Sequence, residues 1–265
     1  MKTKLFASFA TALALTAGFA SSAQAVGFGF KTNFTDGADG AKGDIMLDSV
    51  EFGGQTFTEF SLVNSATIVS NDVFTGGNSG AASADMGDLA TIGLSQEKLT
   101  NEGAATALGN LNLNSIIDTE DSGNFAIDTK FDKAVDNILV FERGQNSRLD
   151  VQALDFAGNL IGNLVALPKS NNWTDAGYSI DTMEIGSAQA VSSIGLSLAD
   201  FGLNVDDSIF GYRMTSEGKS YNGPDWKILG TTDATPASVP EPAAVIGLGL
   251  VAGSLVRSRR RQNSK

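Results

Sequence analysis

Neither histidine nor cysteine occurs anywhere in the 265 residues. Imidazole bases, thiolate nucleophiles and zinc sites built on either are therefore excluded, and with them the Ser-His-Asp triad. Chemistry is left to carboxylates, hydroxyls, lysine, arginine and tyrosine. The densest carboxylate group is Asp118-Thr119-Glu120-Asp121, followed by Ser122 and Gly123. Three acids in four residues ahead of a glycine form the kind of turn that could wrap Ca²⁺. The run departs from the EF-hand loop, which needs ligands at alternating positions and a distal Glu. Asp36, Asp39 and Asp44, in a Gly-rich turn, are a sparser set for the same ion. No other cofactor is expected. Facing carboxylates hydrolyse glycosides when their separation is right, and Glu142, Asp150 and Glu184 are acids that could be cast in that role. Spacing alone singles out none of the acids, so no catalytic residue is assigned and no enzyme is expected. Trp173, Tyr178, Tyr212, Tyr221 and Trp226 would make a platform for sugar rings if they shared an exposed face; the alternative is that they pack in the core or in turns.

The elements that would position these residues read as strands. Phe125, Ile127, Thr129 and Phe131 alternate with Ala126, Asp128, Lys130 and Asp132, the pattern of a half-buried strand. Val135 to Phe141 is apolar on both faces and predicts a central strand. Further runs follow at 149–153, 160–167, 177–185, 191–198, 209–215 and 226–231, with turn residues such as Asp155, Gly158 and Asn159 between them. Short strands at this spacing predict an all-β fold, a β-sandwich of jelly-roll type. The clearest hairpin is Ile45 to Phe52, Gly53-Gly54, then Gln55 to Leu62, because glycine supplies the positive φ of a two-residue turn. That register sets Leu47 against Phe60 and Ile45 against Leu62, and it also opposes Asp48 to Glu59. Such a like-charged pair calls for a bulge, for side chains splayed into water, or for a cation between them. Residues 71–123 form a long Gly/Asn-rich excursion in which 95–113 predict a short helix, with Ser95 beside a plausible cap.

Charge is distributed unevenly. The formal net charge is -12, yet Lys2, Lys4, Arg257, Arg259, Arg260, Arg261 and Lys265 all lie in the two ends, so residues 26–242 carry 11 cations against 30 acids, a net of -19. A body this acidic repels nucleic acid and anionic lipid. Residues 1–25 have a basic start, an apolar run and Ala23-Gln24-Ala25, which predicts a secretory signal peptide cleaved between Ala25 and Val26 by signal peptidase. An exported chain without cysteine must hold its fold by its core rather than by disulfides.

After a polar linker at 233–239 come Pro240-Glu241-Pro242, an apolar segment from Ala243 to Val256, and the arginines 257 and 259–261. Fourteen residues rise about 21 Å as a helix against a hydrocarbon core of about 30 Å, a marginal span that the arginines would keep cytoplasmic at its C-terminal end. The three parts in this order at 240–265 resemble the PEP-CTERM sorting signal of Gram-negative bacteria that make exopolysaccharide. That resemblance implies recognition and cleavage by a membrane-embedded exosortase. The chain would be held briefly in the inner membrane by its C-terminal segment and then released to the cell surface or extracellular matrix. The stretches Lys31-Thr-Asn-Phe34, Phe141-Glu-Arg-Gly144, Ala176-Gly-Tyr-Ser-Ile-Asp-Thr182 and Asn222-Gly-Pro-Asp225, among others in 26–232, resemble a family of exosortase-dependent surface proteins. That family implies a location and supplies no catalytic residues. The expected role is structural or adhesive, with exopolysaccharide as a possible partner; the alternatives are a carbohydrate-binding module and, behind it, a secreted glycoside hydrolase.

Overall fold

The longest alternating run in the sequence becomes the spine of the largest sheet. The computed structural model describes residues 26–73, 81–82, 98–169, 173–181 and 187–232. In β7 (Asn124–Val135), Phe125, Ile127, Thr129 and Phe131 are buried, and the residues between them face outward, as the two-residue period of a strand requires. β7 lies in a five-stranded antiparallel sheet ordered β10 (Leu160–Leu167), β9 (Leu149–Leu154), β13 (Ile209–Glu217), β7, β4 (Val63–Asn71). A four-stranded antiparallel sheet follows, ordered β11 (Thr174–Ile180), β12 (Gln189–Ser197), β8 (Asn137–Arg143), β14 (Asp225–Thr231). The third sheet is β1 (Lys31–Asp36), β2 (Ile45–Phe52), β3 (Gln55–Phe57), and β5 (Ala81–Ala82) pairs with β6 (Asp118–Thr119). The all-β expectation holds.

Two cores explain why the stretch around 138–141 is apolar on both faces. Ile138 and Val140 of β8 join Trp226 and Ile228 of β14 in the core shared with the five-stranded sheet. Leu139 and Phe141 point the other way, into a second core with Ile45, Leu47, Val50 and Phe52 of β2. The four-stranded sheet is thus the middle of three layers, one more than a plain sandwich has. The predicted strand Val135 to Phe141 is also divided: Val135 closes β7, Asp136 turns the chain, and β8 begins at Asn137 in the other sheet. Burying both faces removes an apolar side chain from water at every position, worth about 1.5–3 kcal/mol for each large residue.

The Gly53-Gly54 turn forms as predicted, with φ of 58° and 76°, and it pairs Phe52 with Gln55 and Val50 with Phe57. The strand ends there, so the predicted pairs Leu47–Phe60 and Ile45–Leu62 are not made. Leu47 and Ile45 instead oppose Phe34 and Asp36 of β1, after a bulge between Asn33 and Phe34. The Asp48–Glu59 conflict never arises: Asp48 accepts a hydrogen bond from the Thr35 hydroxyl at 2.8 Å. Within the excursion, helix α1 (Asn101–Leu108) is capped by Thr100, whose hydroxyl accepts from Gly103 N–H at 3.0 Å; Ser95 lies outside the described residues. The edge strand β10 is interrupted, because Ile161 opposes Ala153 but Val165 opposes Val151, leaving residues 162–164 against Gln152 alone.

Candidate functional site

The acids singled out from sequence at 118–121 do meet other polar groups, and the ladder geometry brings them there. An isolated bridge between Ile117 and Trp226 lays the 117–119 segment alongside the start of β14. Asp225 then faces Thr119, whose N–H donates to its Oδ1 at 2.8 Å. Across β14, Asp225 is the register partner of Arg143 at the end of β8. Arg143 donates from Nε and Nη2 to Asp225 Oδ2 at 3.0 and 2.7 Å, and from Nη2 to Asp118 Oδ1 at 3.2 Å. Arg143, Asp118 and Asp225 are all buried, so this cationic head is desolvated and held by fixed partners on two segments.

Above this ion-pair cluster is a cavity of about 190 Å³. Its other walls are Thr119, Glu120, Asp121, Asn146, Gln189, Asn222 and Gly223. Four acids against one arginine give the lining a formal charge of -3. The turn 222–223 approaches the 119–121 backbone closely: Asn222 and Gly223 have φ of 63° and 51°, and a Cβ on Gly223 would lie 2.2 Å from Thr119 O. Only glycine fits there. Ser147 Oγ donates to Asn222 O at 2.7 Å and fixes the same turn from the other side.

Two neighbours are titratable and buried. Glu142 is 1% exposed; its Oε2 accepts from Gln145 N–H at 2.8 Å, and its Oε1 has no hydrogen-bond partner among the described residues. Burial first, and then the negative Asp225, push its carboxyl well above the ordinary carboxylate range. Lys227, wholly buried, donates from Nζ to Ala107 O and Ser115 O at 3.0 Å each and to Asn110 Oδ1 at 3.3 Å. Burial lowers its pKa to about 7. The two act in opposite directions on stability. Above pH 4.5 the unfolded chain ionises Glu142 while the native state keeps its proton, so stability falls as pH rises towards the folded value. From about pH 7 to 10.5, native Lys227 is neutral while the unfolded side chain is protonated, so its contribution rises with pH. Glu142→Gln is therefore expected to flatten the decline in unfolding free energy between pH 4.5 and about 7, as measured by urea titrations across that interval; an unchanged slope would show that Glu142 titrates normally.

The remaining predicted residues lie elsewhere. Asp150 is buried and paired: Arg148 grips it from Nε and Nη2 at 2.9 Å each, and the Tyr221 hydroxyl donates to it at 2.6 Å. Arg148 also covers the Tyr221 ring, 4.6 Å from its centroid. Glu184 lies outside the described residues. Asp44 accepts from Asn112 at 2.7 Å, and Asp39 precedes the short turn of helix at Gly40–Lys42 without a side-chain capping hydrogen bond. Among the described residues no three acidic side chains are grouped so that they could hold a metal ion. The aromatic platform does not form, since Tyr178, Tyr212, Tyr221 and Trp226 are buried at 7% exposure or less. Trp173 is half-buried, its Nε1–H donating to Pro168 O at 2.9 Å. Val26 is the first described residue. Ala25, Pro240, Glu241, Pro242 and Arg257, Arg259, Arg260 and Arg261 lie outside the described residues. Sequence reasoning missed Arg143, Asn146 and Gln189 as site residues. The usable signal was an arginine closely following the apolar run Ile138 to Phe141.

No protein-family model matches the chain, and no curated protein matches it significantly.

Proposed function

We propose that this is an exported protein processed at both ends and displayed at the cell surface or in the extracellular matrix, where it has a structural or adhesive role. The observation that carries the reading is the order Pro240-Glu241-Pro242, apolar 243–256, then arginines 257 and 259–261. Among the described residues, Gly27 N–H donates to Asp200 Oδ1 at 2.8 Å, Phe28 bridges Gly195, and β14 runs to Thr231; a product spanning Val26 to about Pro242 retains all of these.

Intact mass of the protein recovered from the surface fraction tests this. The expected product begins at Val26 and ends near Pro242, and Glu241→Ala is expected to leave residues 243–265 attached and the protein in the membrane fraction. A wild-type product that keeps 243–265 would mean a permanent tail anchor instead.

Within this reading the two larger sheets form a jelly roll. What supports it is the way the chain crosses between them, from β7 to β8, β8 to β9, β12 to β13 and β13 to β14, while β13 inserts between β7 and β9 and β8 between β12 and β14. The sheet β1–β3 is then an addition that covers the outer face.

A further inference from the structure

We infer that the cavity above Arg143 binds a small neutral polyol, the hydroxyl-bearing face of a single sugar ring. The inference does not depend on the sorting signal. It starts from which polar groups at the cavity are already committed and which are not. Asp118 and Asp225 are committed to Arg143. Thr119 is 4% exposed, yet its Oγ1 has no hydrogen-bond partner among the described residues. A buried hydroxyl without a partner is costly to leave so, and Thr119 is one of the residues that line the cavity. Gln189 and Asn222, which carry side-chain amides, and Asp121, which carries a carboxylate, are among the lining residues.

The composition of this set chooses the ligand class. An amide offers donors and an acceptor together, and a hydroxyl does the same. A ligand of vicinal hydroxyls can use the donors and the acceptors together, whereas a bare cation can use the acceptors alone. A divalent cation is further disfavoured by the commitment of the two buried aspartates to Arg143, whose positive charge lies at the floor. An anion is disfavoured by the -3 lining. The volume of about 190 Å³ admits one ring and not a chain, being below the several hundred Å³ of pockets that enclose larger ligands. No aromatic face lines it, so affinity rests on hydrogen bonds and is expected to be weak, with Kd of about 1–10 mM.

The test follows the side-chain amide NMR signals of Asn222 and Gln189 in the purified full chain. D-glucose, D-galactose, D-mannose, CaCl₂ and methylammonium chloride are titrated separately. At least one sugar is expected to shift these signals saturably. Asn222→Gly keeps the backbone conformation that φ of 63° requires and deletes the amide; combined with Gln189→Ala it is expected to weaken binding at least tenfold while the protein still unfolds cooperatively. The proposal is overturned by the absence of saturable shifts with every sugar at about 100 mM, well above the expected Kd. Shifts produced by Ca²⁺ or methylammonium alone overturn it too, as does a double variant that binds sugar as tightly as the parent.

Discussion

Arg143→Met is expected to lower the unfolding free energy by about 3–5 kcal/mol, the cost of leaving buried carboxylates without their cation. Methionine approximates the volume of the arginine stem, so the loss reports charge rather than a void. Asp225 would lose both of its contacts with Nε and Nη2, and Asp118 its contact with Nη2. The informative comparison is the triple variant Arg143→Met, Asp118→Asn, Asp225→Asn, which removes every charge of the trio. It is expected to recover part of the loss, since replacing a whole buried ion cluster is often close to neutral. Urea denaturation of the three proteins measures both numbers. A single variant as stable as the parent would mean that the cluster is solvated in solution.

Gly223→Ala is expected to cost about 2–5 kcal/mol, combining the strain of a left-handed residue with overpacking. The added methyl would meet Thr119 O at 2.2 Å, Glu120 C at 2.8 Å and Asp121 N at 2.9 Å. All three are backbone atoms, so no side chain can rotate away. Relief requires the 118–121 segment to move off the start of β14, which pulls Thr119 N–H from Asp225. Thermal unfolding measures the loss, and hydrogen exchange at Thr119 should accelerate with it. Gly54→Ala is the control: its φ is 76° but its Cβ would meet nothing within 4 Å, so only the smaller strain applies.

Much of the fold was legible in the sequence because period two is a local signal. Phe125 to Phe131 and the Gly53-Gly54 turn depend on neighbours a few residues away. The extent of the hairpin was not legible, since β2 pairs mainly with β1, and a choice between two partners for one strand is a long-range competition. The third layer was half legible: the apolar stretch at 138–141 signals two buried faces but not what covers the second. At the site, the carboxylates of 118–121 stood out by density. Arg143 did not, because its role comes from Asp225, 82 residues away. The aromatic residues misled for a related reason: ring chemistry is visible in a sequence, but the face on which a ring lies depends on packing.

Under the proposed export, the position of β14 has a consequence for the order of events. This last strand supplies Trp226 and Ile228 to one core, Leu229 to the other and Asp225 to Arg143, and it forms a full ladder with β8. A chain delivered N-terminus first therefore emerges with β8 lacking one neighbour and Arg143 lacking its principal counter-ion. Contacts this distant in sequence also form slowly. Under the proposed export, maturation of the domain would wait for 225–231 to clear the pore, and by then only the short 233–239 segment would separate it from Pro240. Completion of the fold and presentation of 240–242 would then be nearly simultaneous, so an enzyme acting there would release domains that have had the means to finish folding.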